Sequence, residues 1–315
     1  MNEKMKTISS RICELTGITY PIFQGGMAWI SEARLAAAVS NAGGLGIISA
    51  MNADAAYLKS QIKLCRELTD RPFGVNILLL SPYVDDVARV VREEKVSVVT
   101  TGAGTPGKYI EGWLQAGVRV IPVVASVALA KRLEKMGASA IIAEGAEAGG
   151  HVGELNTMAL IPQVCDALSI PVIAAGGIAD GRGMAAAFML GAEGVQCGTR
   201  FLAASECQIH PSYKQKIIGA NDTDTIVTGK KLGHPVRALK TPFTRQFSQM
   251  EKDHDLTQEE ADSFGAGALR RAALEGDEKT GCYMAGQSAG LVKKIQSAQD
   301  IIQEMMQQAT ILLKL

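Results

Sequence analysis

His151 is the only histidine in the first two hundred residues, and it stands in "EGAEAGGHVGE", residues 144 to 154, among glycines and carboxylates. An imidazole titrates near about pH 6.5, so at this position it can give or take a proton, donate a hydrogen bond, or bind a metal. The metal option lacks partners. No second histidine or cysteine has ligand spacing near His151, and Cys207 with His210 forms only a lone CxxH. No metal is expected, which leaves an imidazole that fills the turn, or an acid or electrophilic hydrogen-bond donor if the loop lies at a reactive rim. Glu147 and Glu154 either orient His151 or its loop or are solvated charges.

Two glycine-rich turns suggest a phosphate. "AAGGI" (174–178) and "QCGTR" (196–200) each follow an apolar run. Glycine lets backbone N–H groups approach an oxyanion closely, and a following helix N-terminus adds a favourable dipole. Thr199 adds a hydroxyl. "GAGTPGKY" (102–109) matches GxGxxG and nearly matches GxxxxGK[ST], but Tyr109 stands where a small hydroxyl is needed and the next strand ends without an acidic residue. A nucleotide loop is therefore not expected there.

Eight short apolar runs must position these groups: "PIFQGGM" from 21, "GLGIIS" from 44, "FGVNILLL" from 73, "SVVTTGAG" from 97, "RVIPVVA" from 119, "AIIAEG" from 140, "PVIAAGG" from 171 and "GVQCGTRF" from 194. They lack polar alternation, as parallel strands covered on both faces do. Helical stretches such as "EARLAAAVSNAG" and "SVALAKRLEKMGA" separate them. An open doubly wound sheet has the same alternation, but the count and regular spacing predict an α/β fold of the (β/α)8 TIM barrel type. Reactive residues of such barrels gather at the carboxyl ends of the strands. Those ends carry Gln24 to Met27, Asn76, Gly102 to Gly104, Glu144, Gly176-Gly177 and Gly198-Thr199, and His151 lies just beyond the sixth.

Residues 1–219 are accordingly expected to form the barrel core. The polar stretch 220–280 shows no strand–helix rhythm and is read as an insertion or lid, and residues 281–315 as a C-terminal helical segment, helical from near 284 to 312. Within the lid, residues 225–250 hold Lys230, Lys231, Arg237, Lys240 and Arg245 with no carboxylate, a local patch suited to an acidic partner or a phosphate. His234 is a candidate contact to substrate or nicotinamide, and His254 is expected to be exposed.

The 32 basic and 32 acidic residues cancel, so no global field draws the chain to nucleic acid or anionic lipid. No apolar run is long enough to cross a bilayer and the N-terminal stretch lacks the apolar centre of a signal peptide, so a cytoplasmic location is expected. Six scattered cysteines without a CxxC pair predict free, mostly buried thiols.

Taken in order, "QGGM", "GVN", "AEG…AGGH", "AAGGI" and "QCGTR" at strand ends resemble the flavin-dependent family that contains the nitronate monooxygenases and the FMN-type enoyl-acyl carrier protein reductase, enoyl reductase II. The resemblance covers nearly the whole chain and is closer to the reductase, including "TGKKLGHPVR", "GALR" and "MAGQSAG". Nitronate monooxygenases commonly carry glutamine in place of Glu144 and arginine in place of Val152, which makes nitronate oxidation the alternative activity. The resemblance implies noncovalent FMN with its phosphate at Gly176, Gly177, Gly198 and Thr199. Gly25, Gly26 and Met27 would lie against the isoalloxazine, and Asn76 and Glu144 at its polar edge or ribityl chain. Gly149, Gly150 and Gln196 would complete the pocket, with Gln287 and Ser288 closing it. The implied reaction is reduction of the 2,3 double bond of an enoyl thioester on acyl carrier protein, by NADH or NADPH in a ping-pong order, with His151 catalytic, His234 and Arg237 near the substrate, and a homodimeric assembly. A barrel that binds a phosphate ligand without catalysis is the remaining alternative from another class.

Overall fold

The computed structural model describes residues 8, 10–51, 53–253 and 256–315. His254 and residues 1–7 and 9 of the N-terminal stretch lie outside them. Eleven strands occur among the described residues: β1 (Ile22–Gln24), β2 (Gly46–Ser49), β3 (Phe73–Leu78), β4 (Val98–Gly102), β5 (Arg119–Val124), β6 (Ile141–Glu144), β7 (Gly150–His151), β8 (Val172–Ala175), β9 (Gly194–Cys197), β10 (Thr225–Thr228) and β11 (Val236–Leu239). Eight of them pair in parallel in the order β1-β9-β8-β6-β5-β4-β3-β2, with helices between them. All eight fall within the eight apolar runs, and the fold is the (β/α)8 TIM barrel.

The ring closes where β1 meets β2. The Gln24 N–H donates to Leu45 O (3.0 Å) and the Leu45 N–H to Ile22 O (2.9 Å). Further along, the Gln24 side chain continues the seam: its Oε1 accepts from the Ile47 N–H at 3.1 Å, and its Nε2 donates to Ser31 Oγ at 2.8 Å. Fully buried Gln24 thus substitutes a side-chain amide for missing backbone ladder bonds, as a polar group with no access to water must.

Strand alternation fixes what the interior contains. Phe23, Ile47, Val98, Ile121, Ile142 and Ile173 form one buried cluster inside the ring, each side chain contributing about 1.5–3 kcal/mol by leaving water. Ile12 and Ile18 join that cluster beside the amino ends of the strands, where an added Cβ on Gly194 would touch Ile12 at 3.6 Å. One period of two residues toward the carboxyl ends, the same inward face carries Gly25, Ser49, Asn76, Thr100, Glu144, Ala175 and Gln196. Polar chemistry therefore begins one layer above an apolar floor.

Residues 220–280 depart from the expectation of a stretch without rhythm. β10 and β11 form an antiparallel hairpin, followed by helices Pro242–Asp253, Gln258–Gly265 and Ala268–Arg270. A small separate cluster of Ala238, Phe243, Phe247, Ala261, Ala268 and Cys282 holds them, with Phe264 stacked on Phe243 at 4.9 Å. The signal is thin in sequence because four-residue strands and a few i,i+4 aromatics suffice to build it. The last helix also starts later than expected, at Ala298 instead of near 284. Ser297 caps it by accepting from the Asp300 N–H at 3.0 Å, while glycines in 286–290 leave only a 3-10 turn over Gln287–Leu291.

Candidate active site

At the β8 end, Gly176 and Gly177 take φ of +93° and +75°, the left-handed region that disfavours a side chain. An added Cβ on Gly176 would lie 2.7 Å from Gly145 O. The neighbouring turn after β9 places Gly198 at the start of the short Thr199–Leu202 helix. The Thr199 hydroxyl oxygen accepts from the Gly286 N–H at 2.9 Å and keeps its own proton to donate. Two adjacent turns whose glycine N–H groups have no partner among the described residues, together with one hydroxyl, form a cradle suited to a phosphate, as FMN requires.

Close packing continues around the mouth. An added Cβ on Gly26 would sit 2.3 Å from Asn76 Cβ, so the β1 and β3 ends touch only because Gly26 lacks one. Thr100 holds Asn76 in turn, its hydroxyl donating to Asn76 Oδ1 at 2.8 Å. Gln196 lies against Gly25, and Met27 is 3.6 Å from an added Cβ on Gly198. The turn after β1 is fixed by Ser31 Oγ, which accepts from the Met27 N–H at 2.9 Å. Trp29 within it takes φ +64°, a conformation costing a bulky side chain about 1–3 kcal/mol.

Glu144 ends β6 on the inward face. Among the described residues, no recorded hydrogen bond or ion pair reaches its carboxyl, and burial pushes its pKa up to about 7 although part of its surface faces the mouth. It is an acid without a protein partner in the layer where a flavin's polar edge would lie.

His151 is not in a free loop. Gly150 and His151 form β7, which pairs antiparallel with β11 of the lid, and Val152 N–H donates to Pro235 O at 3.1 Å. Its ring keeps exposed surface, yet partial burial, and secondarily the nearby charge of His234, hold the imidazole below its ordinary pKa. At neutral pH His151 is therefore a neutral N–H donor, not the imidazolium. Arg237 tethers this assembly: its Nε donates to Ala146 O and its Nη1 to Thr225 Oγ1, both at 3.1 Å. That guanidinium is committed to the protein, whereas exposed His234 at the hairpin tip faces the histidine strand.

Glu147 is neither a solvated charge nor a partner of His151. Its carboxylate accepts from the Thr157 N–H and hydroxyl, both at 2.9 Å, closing the loop that carries β7 at the start of the Thr157–Ala167 helix. The C-terminal segment locks on from outside: Gln287 N–H donates to Glu147 O at 2.9 Å, buried Ser288 follows, and an added Cβ on Gly149 would lie 2.6 Å from Ala285 C. All the candidate residues thus surround one barrel mouth. Ser31 and Thr100 escaped the sequence reading, Thr100 signalled only by standing two positions beyond inward Val98 and Ser31 acting through contacts that only folding creates, whereas Glu147 takes the loop-orienting role that was one of its expected alternatives.

Lys108 and Tyr109 of the rejected nucleotide motif both turn to Asp85, each at 2.6 Å. Among the described residues no group of three or more histidine, cysteine or acidic side chains could hold a metal, and all six cysteines are unbridged. A cavity of about 250 Å³ opens elsewhere, between Arg200 and the outer helices, apart from the barrel interior.

The TIM barrel hosts many chemistries, and similarity to known proteins defines the class here as a flavin-type oxidoreductase. The family model described as nitronate monooxygenase matches residues 9–95 and 79–308, and the chain belongs to that family. The structure of FabK from Thermotoga maritima superposes with a TM-score of 0.95 at 51% identity, covering 98% of both chains. A Staphylococcus saprophyticus protein described as a probable nitronate monooxygenase is 34% identical, over 96% of this chain and 98% of its own. A carboxyl-CoA dehydrogenase of Rhodococcus jostii, whose named substrate carries a hydroxy-methyl-oxo-octahydroindene group, is 40% identical over 75% of this chain and 67% of its own.

Proposed function

We propose that the chain reduces the 2,3 double bond of enoyl thioesters carried by acyl carrier protein, with FMN bound at the barrel mouth and NADH or NADPH as the reductant. The observation that carries this is the 51% identity to FabK, the enoyl-acyl carrier protein reductase II, over nearly the full length of both chains.

The reaction requires a hydride at the β-carbon and a proton at the α-carbon, with negative charge developing on the thioester oxygen between them. FMN, when bound, supplies the hydride chemistry between nicotinamide and enoyl thioester. Gly176, Gly177, Gly198 and Thr199 hold its phosphate. Gly25, Gly26 and Met27 would back its ring, Asn76 and Glu144 would meet its polar edge or ribityl chain, and Gly149, Gly150, Gln196, Gln287 and Ser288 would close the pocket. His151 directs a neutral N–H at the developing oxyanion, a role that needs fixed orientation more than a shifted proton. His234 stands at the substrate entrance, and Arg237 keeps the histidine strand in place. Exposed Lys230, Lys240 and Arg245 face solvent on the lid, where an acidic carrier would be attracted. A homodimer belongs to the same reading and is tested by sedimentation.

Purified protein is expected to be yellow, to bleach anaerobically with NADH or NADPH, and to regain colour on adding crotonyl thioester. No bleaching by either nucleotide defeats the reductase assignment. The family relative at 34% identity keeps nitronate oxidation as the second reading, and oxygen-dependent turnover of an alkyl nitronate without nicotinamide would establish it instead.

A further inference from the structure

Trp29 combines three features that packing does not require of one residue. It is the one aromatic side chain at positive φ among the described residues, at +64°. It is 42% exposed although its neighbours Ala28 and Ile30 are buried. And its indole is covered on one side by the Arg270 guanidinium, 6.0 Å from the ring centroid, while Arg270 is itself paired with Glu275.

The turn is built by other residues. Ile30 and Ser31 N–H groups donate to Met27 O at 3.1 and 2.9 Å, so glycine at position 29 would make the same turn without steric conflict. A bulky aromatic held in a strained conformation and left half in water points to a use for its ring. From the β3 end, which touches the β1 end at Gly26 and Asn76, the next loop presents Leu80, 75% exposed. An apolar rim therefore flanks the mouth on the β1–β3 side, while the phosphate turns occupy the β8–β9 side and His151 stands beyond β6. The β1–β3 side lies away from the phosphate turns and presents exposed apolar side chains on which an apolar tail could lie.

We propose that Trp29, braced by Arg270 and assisted by Leu80, is the wall against which the acyl chain of the substrate lies, and that it sets the preference for longer chains. This rests on the enoyl reductase reading. Contact with a pair of methylenes corresponds to a change of about tenfold in kcat/KM.

The chain has two tryptophans, which makes the contact directly visible. Trp113 is 1% exposed, with its indole N–H donating to Ala88 O, so acrylamide quenching of the FMN-loaded protein reports Trp29. Dodecanoyl-pantetheine is expected to shield the quenchable tryptophan and butyryl-pantetheine to leave it open. Shielding by neither, or equally by both, overturns the proposal. In Trp29→Gly the kcat/KM ratio of dodecenoyl to crotonyl thioester should fall about tenfold, with Trp29→Phe retaining most of it; an unchanged ratio in Trp29→Gly overturns it as well. Wild-type protein that bleaches with nicotinamide but reduces no enoyl thioester removes the enzymatic reading and this inference together, whereas an active wild type with an unaltered ratio removes only the inference.

Discussion

His151 lies opposite Val236 in an antiparallel pairing, with Gly150 opposite Arg237 one step before it. The imidazole is thus carried on a strand of the three-stranded lid sheet that the barrel contributes from the connection after β6. Whatever displaces the β10–β11 hairpin displaces the histidine, and a residue that looks like part of a mobile glycine loop gains the fixed orientation an oxyanion donor needs.

His151→Ala should retain FMN and lose about 10²–10³-fold in enoyl turnover, the cost of removing one oxyanion donor. Stopped-flow measurement of the oxidative half-reaction checks this, and unchanged turnover removes the role. Because burial and His234 lower the His151 pKa, the neutral donor persists through pH 7 and below the ordinary histidine value. For wild type, kcat/KM is therefore expected to be level around neutrality and to decline only toward acid pH, with that acid limb absent in His151→Gln.

Arg237→Ala removes the hydrogen bond that joins the lid to the Ala146 carbonyl and the one that braces the guanidinium on Thr225 within the hairpin. Each charge-assisted bond is worth about 1.5–3 kcal/mol, so faster amide exchange is expected across residues 146–152 together with a fall in kcat and little change in bound FMN. If the fall were entirely in KM, Arg237 would be gripping substrate instead of holding the strand.

Gly177→Val should abolish FMN binding. The position needs φ +75°, and an added Cβ already lies 3.3 Å from Glu147 Cβ, so a branched side chain either fills the cradle or pushes the Glu147 clamp aside. Flavin retained at full stoichiometry after gel filtration would contradict the phosphate assignment.

Glu144→Gln tests the buried acid. Burial raises the Glu144 pKa from 4.5 to about 7, so between those values the folded protein holds a proton that the unfolded chain has released. Stability is thus fully present below the unfolded pKa and lost as pH rises through the folded one, by at most about 3 kcal/mol because the carboxyl partly faces the mouth. Thermal unfolding of wild type and Glu144→Gln should diverge in favour of the variant as pH rises from 4.5 to 7. Parallel profiles would mean the carboxyl is hydrated.

The barrel was legible because its strands are buried on both faces, which writes them as apolar runs, and because their carboxyl ends carry the unusual residues. Asn76 and Glu144 could be placed at the mouth because each stands at the carboxyl end of an apolar run, and Gln196 through the family resemblance; only the structure shows that each stands two positions beyond an inward-facing Gly74, Ile142 or Gly194. The lid was not legible in the same way: its strands are four residues long and its core rests on Phe243, Phe247 and Phe264, too few for a period to emerge.

Sequence alone determined the ring of strands and the kinds of side chain at its rim, because periodic burial and glycine's freedom are local properties. Only the tertiary structure decided that His151 belongs to a strand, that Arg237 and Glu147 serve as tethers, and that Thr199 meets residue 286. Those roles depend on hydrogen bonds between segments some 10 to 90 positions apart, and no local pattern records which distant partner a polar side chain will find.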